Sequence, residues 1–227
     1  MIEAKSDGKQ KLRRVTLTGR PTEEFKIPVS TGYSVYSAIL NTLNDADEAV
    51  SEHVHDTQIS SLNCSELQGT FSSANQRFKQ TVQPRTTYTI TLGITDPEDE
   101  AIFKTLLDTL MLDGELELTN GELEIESLES ENTTHEEILT EAGGVNARGV
   151  EIEFIECTSI EEAGAVTTAF PHRWSVFNNL ARKWNASCDA ERNEIDLPQA
   201  AVLEHVYAQP DTRSFQTHSK LSSRGRE

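Results

Sequence analysis

The chain lacks the features that mark a membrane-spanning or secreted protein. No apolar run approaches the roughly 18 residues needed to cross a bilayer. The opening segment, Met1 to Gln10, is polar and carries no apolar core of the signal-peptide kind. Cysteine is scarce: Cys64, Cys157 and Cys188 are widely spaced and form no CxxC pair. Neither a disulfide framework nor a paired-cysteine zinc site is indicated, and reduced thiols in a cytoplasm are expected. GxxxxGK(S/T), GxSxG and HExxH are also missing, which removes the commonest P-loop, serine-hydrolase and zinc-protease readings. Hydrophobic residues make up only 36%. They are nevertheless clustered and periodic, and 227 residues are enough for one large domain or two small ones with their own cores.

Positive charge is the other shortage. The chain has 20 Lys+Arg against 38 Asp+Glu, a net charge of −18. Taken alone, that balance argues against a polyanionic partner such as nucleic acid. The acids are spread along the chain instead of forming a terminal block, and the basic residues divide into 8 Lys and 12 Arg. This pattern favours a protein of a halophilic cytoplasm over an acidic interaction tail. At about 1 M salt the Debye length is only about 3 Å, so an acidic exterior would scarcely repel a polyanion beyond contact.

The periodicity of what remains predicts an α+β chain. Val15 and Leu17 share one face of a short strand over Leu12 to Thr18. Val35, Ile39 and Leu43 recur at helical spacing after a start at Ser30 or Thr31, and a second helical piece spans Glu48 to His53. Tyr88, Ile90, Leu92 and Ile94 alternate with threonines as a half-buried strand. Asp96-Pro97 opens a helix whose buried face is Ile102, Phe103, Leu106, Leu107 and Leu110, and Gly114 stops it. Two short strands follow around Asn120-Gly121. That order is β-α-β-β-α-β, the ferredoxin-like unit. A Glu, Ser, Thr and Asn-rich stretch predicts a linker over 129–146, in which Glu136 to Leu139 could form a helical turn, between a first domain at 10–128 and a second at 147–227. The second opens with a strand at Val150, Ile152 and Phe154. A helix follows with Trp174, Phe177, Ala181 and Trp184 on one side.

Few residues stand out chemically. His53 and His55 are the only close pair among six histidines. On a strand they would share a face, with Cys64 as a third metal ligand; on a helix, positions two apart diverge, and no metal is expected. Surface histidines and a proton-shuttling histidine are the other readings, and the spacing does not choose between them. Tyr33 and Tyr36 open the first helix, as core contacts or as hydroxyls facing a cleft. Arg173, Arg182 and Lys183 locally break the acid excess, either as a solvated face or as phosphate contacts.

Several segments together resemble one family. Ile27-Pro28, GYSVYSAILNTL (Gly32–Leu43), SEHVHD (Ser51–Asp56) and LQGTF (Leu67–Phe71), then EFIECTSI (Glu153–Ile160) and PHRWSVFNNLARKWN (Pro171–Asn185), resemble the CRISPR-associated repeat-RNA endoribonucleases of the Cas6 group in the RAMP superfamily. The resemblance implies two tandem ferredoxin-like domains and cleavage of precursor CRISPR RNA without metal or other cofactor. The 2′-hydroxyl would attack, leaving a 2′,3′-cyclic phosphate and a 5′-hydroxyl. It implies CRISPR repeat RNA as partner, with other interference-complex subunits in a non-catalytic variant of the reading. His55 would be the general acid/base, with Tyr33 or Tyr36 as helpers; Leu40 and the Ser60-Ser61 stretch stand where some members carry a tyrosine and a lysine. Family members end in a glycine-rich loop and final strands. Gly225 is the only late glycine here, so an incomplete second domain is expected.

Overall fold

A computed structural model of the chain describes residues 11–56, 62–76, 78–95, 99–144, 149, 151, 152, 154, 160–162, 166–168, 170–188 and 190–207. They divide between two compact units: Met1–Ala147 with Ala186–Asn193, and Arg148–Asn185 with Glu194–Glu227.

The first unit runs β1 (Leu12–Pro21), β2 (Phe25–Pro28), α1 (Gly32–Ala46), α2 (Glu48–Asp56), β3 (Leu62–Cys64), β4 (Ser72–Ser73), β5 (Lys79–Val82), β6 (Tyr88–Ile94), α3 (Asp99–Asp113), β7 (Glu115–Leu118), β8 (Gly121–Thr133) and α4 (His135–Gly144). Five strands form one sheet in the order β3-β6-β1-β8-β7, and every neighbouring pair is antiparallel. Without the edge strand β7, the chain passes β1, α1, β3, β6, α3, β8, with β1 and β6 side by side at the centre. This is the βαββαβ order expected for the first unit.

Side-chain period explains the layers. On β6, Tyr88, Ile90, Leu92 and Ile94 are buried while the intervening residues are half-buried. Val15 pairs with Leu92 and Leu17 with Ile90, so the apolar sets of both central strands share one face. Val35, Ala38, Ile39 and Leu43 of α1 and Ile102, Leu106 and Leu110 of α3 cover it in a single core. Burying each large aliphatic side chain contributes about 1.5–3 kcal/mol. Gly114 ends α3 at φ 70°, a left-handed conformation that costs glycine little.

A second, three-stranded sheet has the order β2-β5-β4. Its inner residues Phe25, Ile27 and Val82 belong to the same core. Gly121, first residue of β8, lies flat against the Phe25 ring, where a Cβ would collide.

The expected linker is not a linker. Residues 129–133 continue β8, because β1 opposite is ten residues long and pairs out to Leu12↔Thr133 past an irregularity at Thr18/Gly19. Residues 135–144 form α4, opened by a reciprocal capping box: the Glu137 N–H donates to Thr134 Oγ1 at 3.2 Å and the Thr134 N–H to Glu137 Oε2 at 2.9 Å. Composition suggested a loop, whereas the partner strand and the cap order it.

Farther along the chain come β9 (Ile160–Glu162), β10 (Val166–Thr168), α5 (Arg173–Ser187), a 3-10 turn (Glu191–Asn193, part of the first unit) and α6 (Gln199–His205). β9 and β10 pair antiparallel. Asn185 binds Ile195 in both directions, its Nδ2 donating to the Ile195 carbonyl at 3.0 Å and its Oδ1 accepting from the Ile195 N–H at 2.8 Å. Of the expected opening strand, Val150 and Glu153 lie outside the described residues. Ile152 and Phe154 are exposed and belong to no strand among the described residues. The described residues of the second unit do not form a second βαββαβ sheet. Trp174, Phe177, Ala181 and Trp184 are all half-buried on α5. Among the described residues no helix is long and apolar enough to cross a membrane.

Candidate functional site

The helix pair α1–α2 holds four of the residues singled out by sequence: Tyr33, Tyr36, His53 and His55. One residue, Asp47, joins the helices. Its N–H closes α1 on the Leu43 carbonyl at 2.7 Å, and its carboxylate Oδ1 accepts from the N–H groups of Ala49 at 3.1 Å and Val50 at 3.4 Å. A carboxylate at the N-terminus of α2 also meets the favourable end of the helix dipole. Ser51 Oγ donates to the Leu40 carbonyl of α1 at 3.3 Å, and Val54 is buried in the core. α2 therefore doubles back over α1.

His55 falls in the last turn of α2, inside the helix and not after it as expected. Its side chain lies outside what the structure describes. One turn on from Ser51 is His55, and one turn back from Leu40 is Tyr36. The spacing carries those two positions to the same end of the helix pair. Positions 53 and 55 are about 200° apart around the helix, which removes the shared face that a His-x-His metal site on a strand would need. His53 is exposed and borders a shallow pocket with Ala49, Val50, Ala101 and Ile102.

Tyr36 is half-buried on α1. Burial pushes its hydroxyl above the ordinary pKa of 10.0, and the nearby Cys64 of β3 adds to the rise. The rise only strengthens the preference for the neutral hydroxyl, which any tyrosine already carries as a hydrogen-bond donor in the neutral range. Tyr33, in the first turn, is 75% exposed and points away from the core. Around it the α1 N-terminus is locked to the loop after β3: Ser30 Oγ donates to Glu66 Oε1 at 2.8 Å, and the Leu67 N–H to the buried Thr31 Oγ1 at 2.8 Å.

The three cationic candidates are on α5. Arg173 is committed to the fold of its own unit, Nη1 donating to the Val206 carbonyl at 2.6 Å beyond the end of α6. Arg182 and Lys183 are exposed. Nine residues separate Arg173 from Arg182, which puts them on opposite sides of the helix. They do not make one patch.

Two features escaped the sequence reading. Cys64 sits beside Tyr36 although 28 positions away, a proximity no spacing reveals. His135 is buried, with Nε2 at 3.0 Å from Ser187 Oγ, 52 positions on; only the Thr134–Glu137 capping pattern hinted that His135 opened a helix. Among the described residues no group of three His, Cys, Asp or Glu side chains is placed to hold a metal ion.

No protein-family model matches the sequence, and no curated protein matches it. Solved structures do. One described as a Cas6 product complex superposes with a TM-score of 0.53 at 15% identity, over 80% of this chain and 66% of the other. A protein of a Cas6-related gene from Pyrococcus furiosus gives 0.52 at 11% identity, over 83% of this chain and 73% of the other. The chain thus spans about two thirds of the length of the first. At such identities the likeness establishes architecture alone, an α+β fold like that of the two Cas6 structures.

Proposed function

We propose that the protein is a Cas6-like endoribonuclease that cuts CRISPR repeat RNA by attack of a 2′-hydroxyl on the adjacent phosphate, with no metal or other cofactor. In this reading the second unit is the counterpart of the family's second ferredoxin-like domain. The supporting observation is the position of His55 in the last turn of α2, folded back toward the turn that holds Tyr36, within a Cas6-like fold.

RNA carries its own nucleophile, so the protein has four tasks: align the 2′-oxygen with the scissile P–O5′ bond, take its proton, stabilise the phosphorane and protonate the leaving oxygen. Neutral His55 imidazole takes the 2′-hydroxyl proton as the O2′–P bond forms. The P–O5′ bond then breaks, and the resulting imidazolium or water supplies the proton to O5′, leaving a 2′,3′-cyclic phosphate and a 5′-hydroxyl. Tyr36, a neutral phenol at working pH, donates to a non-bridging phosphate oxygen, and exposed Tyr33 offers a second hydroxyl. Arg182 and Lys183 are placed in solvent where they can meet phosphates. Arg173 is the weaker contact, because its guanidinium already serves the Val206 carbonyl.

The test is incubation with CRISPR repeat RNA in KCl and EDTA. Cleavage should persist in EDTA, stop when the nucleotide before the cut carries 2′-deoxyribose, and fall about 10²–10⁴-fold in His55→Ala. RNA binding with no cleavage would replace this reading with a non-catalytic RAMP subunit. Loss of cleavage in EDTA would refute the metal-free mechanism.

A further inference from the structure

All 38 acidic residues lie outside Leu67–Thr95, a stretch that carries Arg77, Lys79 and Arg85 and is rich in Gln, Asn, Ser and Thr. Most of the small sheet is cut from this stretch: β4 and β5 belong to it, and β2 adds Lys26. Register decides which side chains share its outer face. Phe25 opposes Val82 and Ile27 opposes Gln80, while Lys26 opposes Thr81 and Pro28 opposes Lys79. With Phe25, Ile27 and Val82 turned into the core, Lys26 and Lys79 stand on the other side as diagonal neighbours. Both are exposed, and Thr81 between them is buried.

Two cations so placed repel each other. Neither makes an ion pair among the described residues, in a unit where Arg14, Arg20 and Arg192 each have a glutamate. The nearest acids by sequence are held at the margins, Glu24 by the Gln83 side-chain amide at 3.1 Å and Glu66 by Ser30. At the end of the same sheet Phe78 is 66% exposed at φ 64°. A left-handed backbone is costly for a bulky residue, and burial does not account for this one, since two thirds of it is exposed. Exposed Val29 lies beside it, its N–H donating to the Phe78 carbonyl at 3.0 Å.

We propose that this outer face of β2-β5-β4 is a docking surface for single-stranded RNA, with Lys26 and Lys79 on successive phosphates and Phe78 as the platform for one base. Charge complementarity selects a polyanion, and an exposed aromatic next to paired cations selects one with bases to stack. The polyanion's identity as RNA rests on the function proposed above, but the surface does not require the chain to cut.

The experiment is fluorescence anisotropy of the full chain with labelled oligouridylate of about 15 nucleotides across a KCl series, with circular dichroism to check folding. Lys26→Gln combined with Lys79→Gln should flatten the slope of log Kd against log salt by about 1.4, two phosphates at about 0.7 each. Phe78→Asn, which suits the left-handed backbone, should weaken binding about 5- to 150-fold, and Phe78→Trp should keep it. Wild-type binding with unchanged slope and affinity in folded variants overturns the surface and leaves the RNA reading standing. No wild-type binding overturns both. Equal binding of polyglutamate would transfer the face to an acidic protein partner and also overturn the assignment.

Discussion

The two sheets of the first unit share a core yet present opposite chemistry. Along the β7–β8 edge of the large sheet, Glu115 faces Glu124 and Glu117 faces Glu122 across the ladder, and all four are exposed. On the small sheet the neighbours are Lys26 and Lys79, with no acid in β4 or β5. Both sheets keep their inner faces apolar, so the fold is indifferent to the outer charge. The contrast therefore concerns what each face meets. A net charge of −18 describes neither face by itself.

The sharpest way to break this contrast is to detach the small sheet. Ile27 is completely buried, so Ile27→Ala should cost about 2–5 kcal/mol in urea unfolding. A cost below about 1 kcal/mol would mean that the small sheet is a loose appendage whose charges are not held in place. A smaller effect is expected at the acidic edge. Glu115→Lys together with Glu117→Lys turns two opposed like pairs into opposite ones and should stabilise by about 0.2–1 kcal/mol per pair. Raising KCl should shrink that gain as screening removes the repulsion; a gain that is flat in salt would show that the edge charges do not interact.

The smallest effect is spectroscopic. Tyr36 is raised above 10.0 by burial first and by Cys64 second. Its neutral form is favoured in the folded state, so the associated stability is intact below the unfolded pKa of about 10 and is lost as pH rises through the folded value. Tyrosinate absorbance should contain a late step from Tyr36, and Tyr36→Phe should remove it. A Tyr36→Phe curve that still contains it would assign the shift elsewhere.

Legibility in the sequence followed the range of the interaction. α1, β6 and α3 were readable because period 3.6 or 2 is local, and Gly114 gave the stop. The far half of β8 was not, since its length is set by β1 more than 100 positions away. Of α4 only a turn over Glu136 to Leu139 was legible, because an acidic, polar composition outweighed the Thr134–Glu137 cap that sets its start. At the candidate site, His55 was named while its place inside a helix was missed. The basic trio on α5 looked like a patch until helical phase separated its members and Val206 engaged Arg173. The acid-free stretch behind the small sheet was visible throughout, but only to a local charge count; a whole-chain average hides it.

Asp47 is both the last word of one helix and the first of the next. A joint one residue long has no slack, so α2 is geared to α1: adding a residue there would turn α2 by about 100° and advance it by about 1.5 Å. The alignment of the His55 and Tyr36 turns is in this sense a property of the backbone joint and of the Ser51–Leu40 hydrogen bond beyond it.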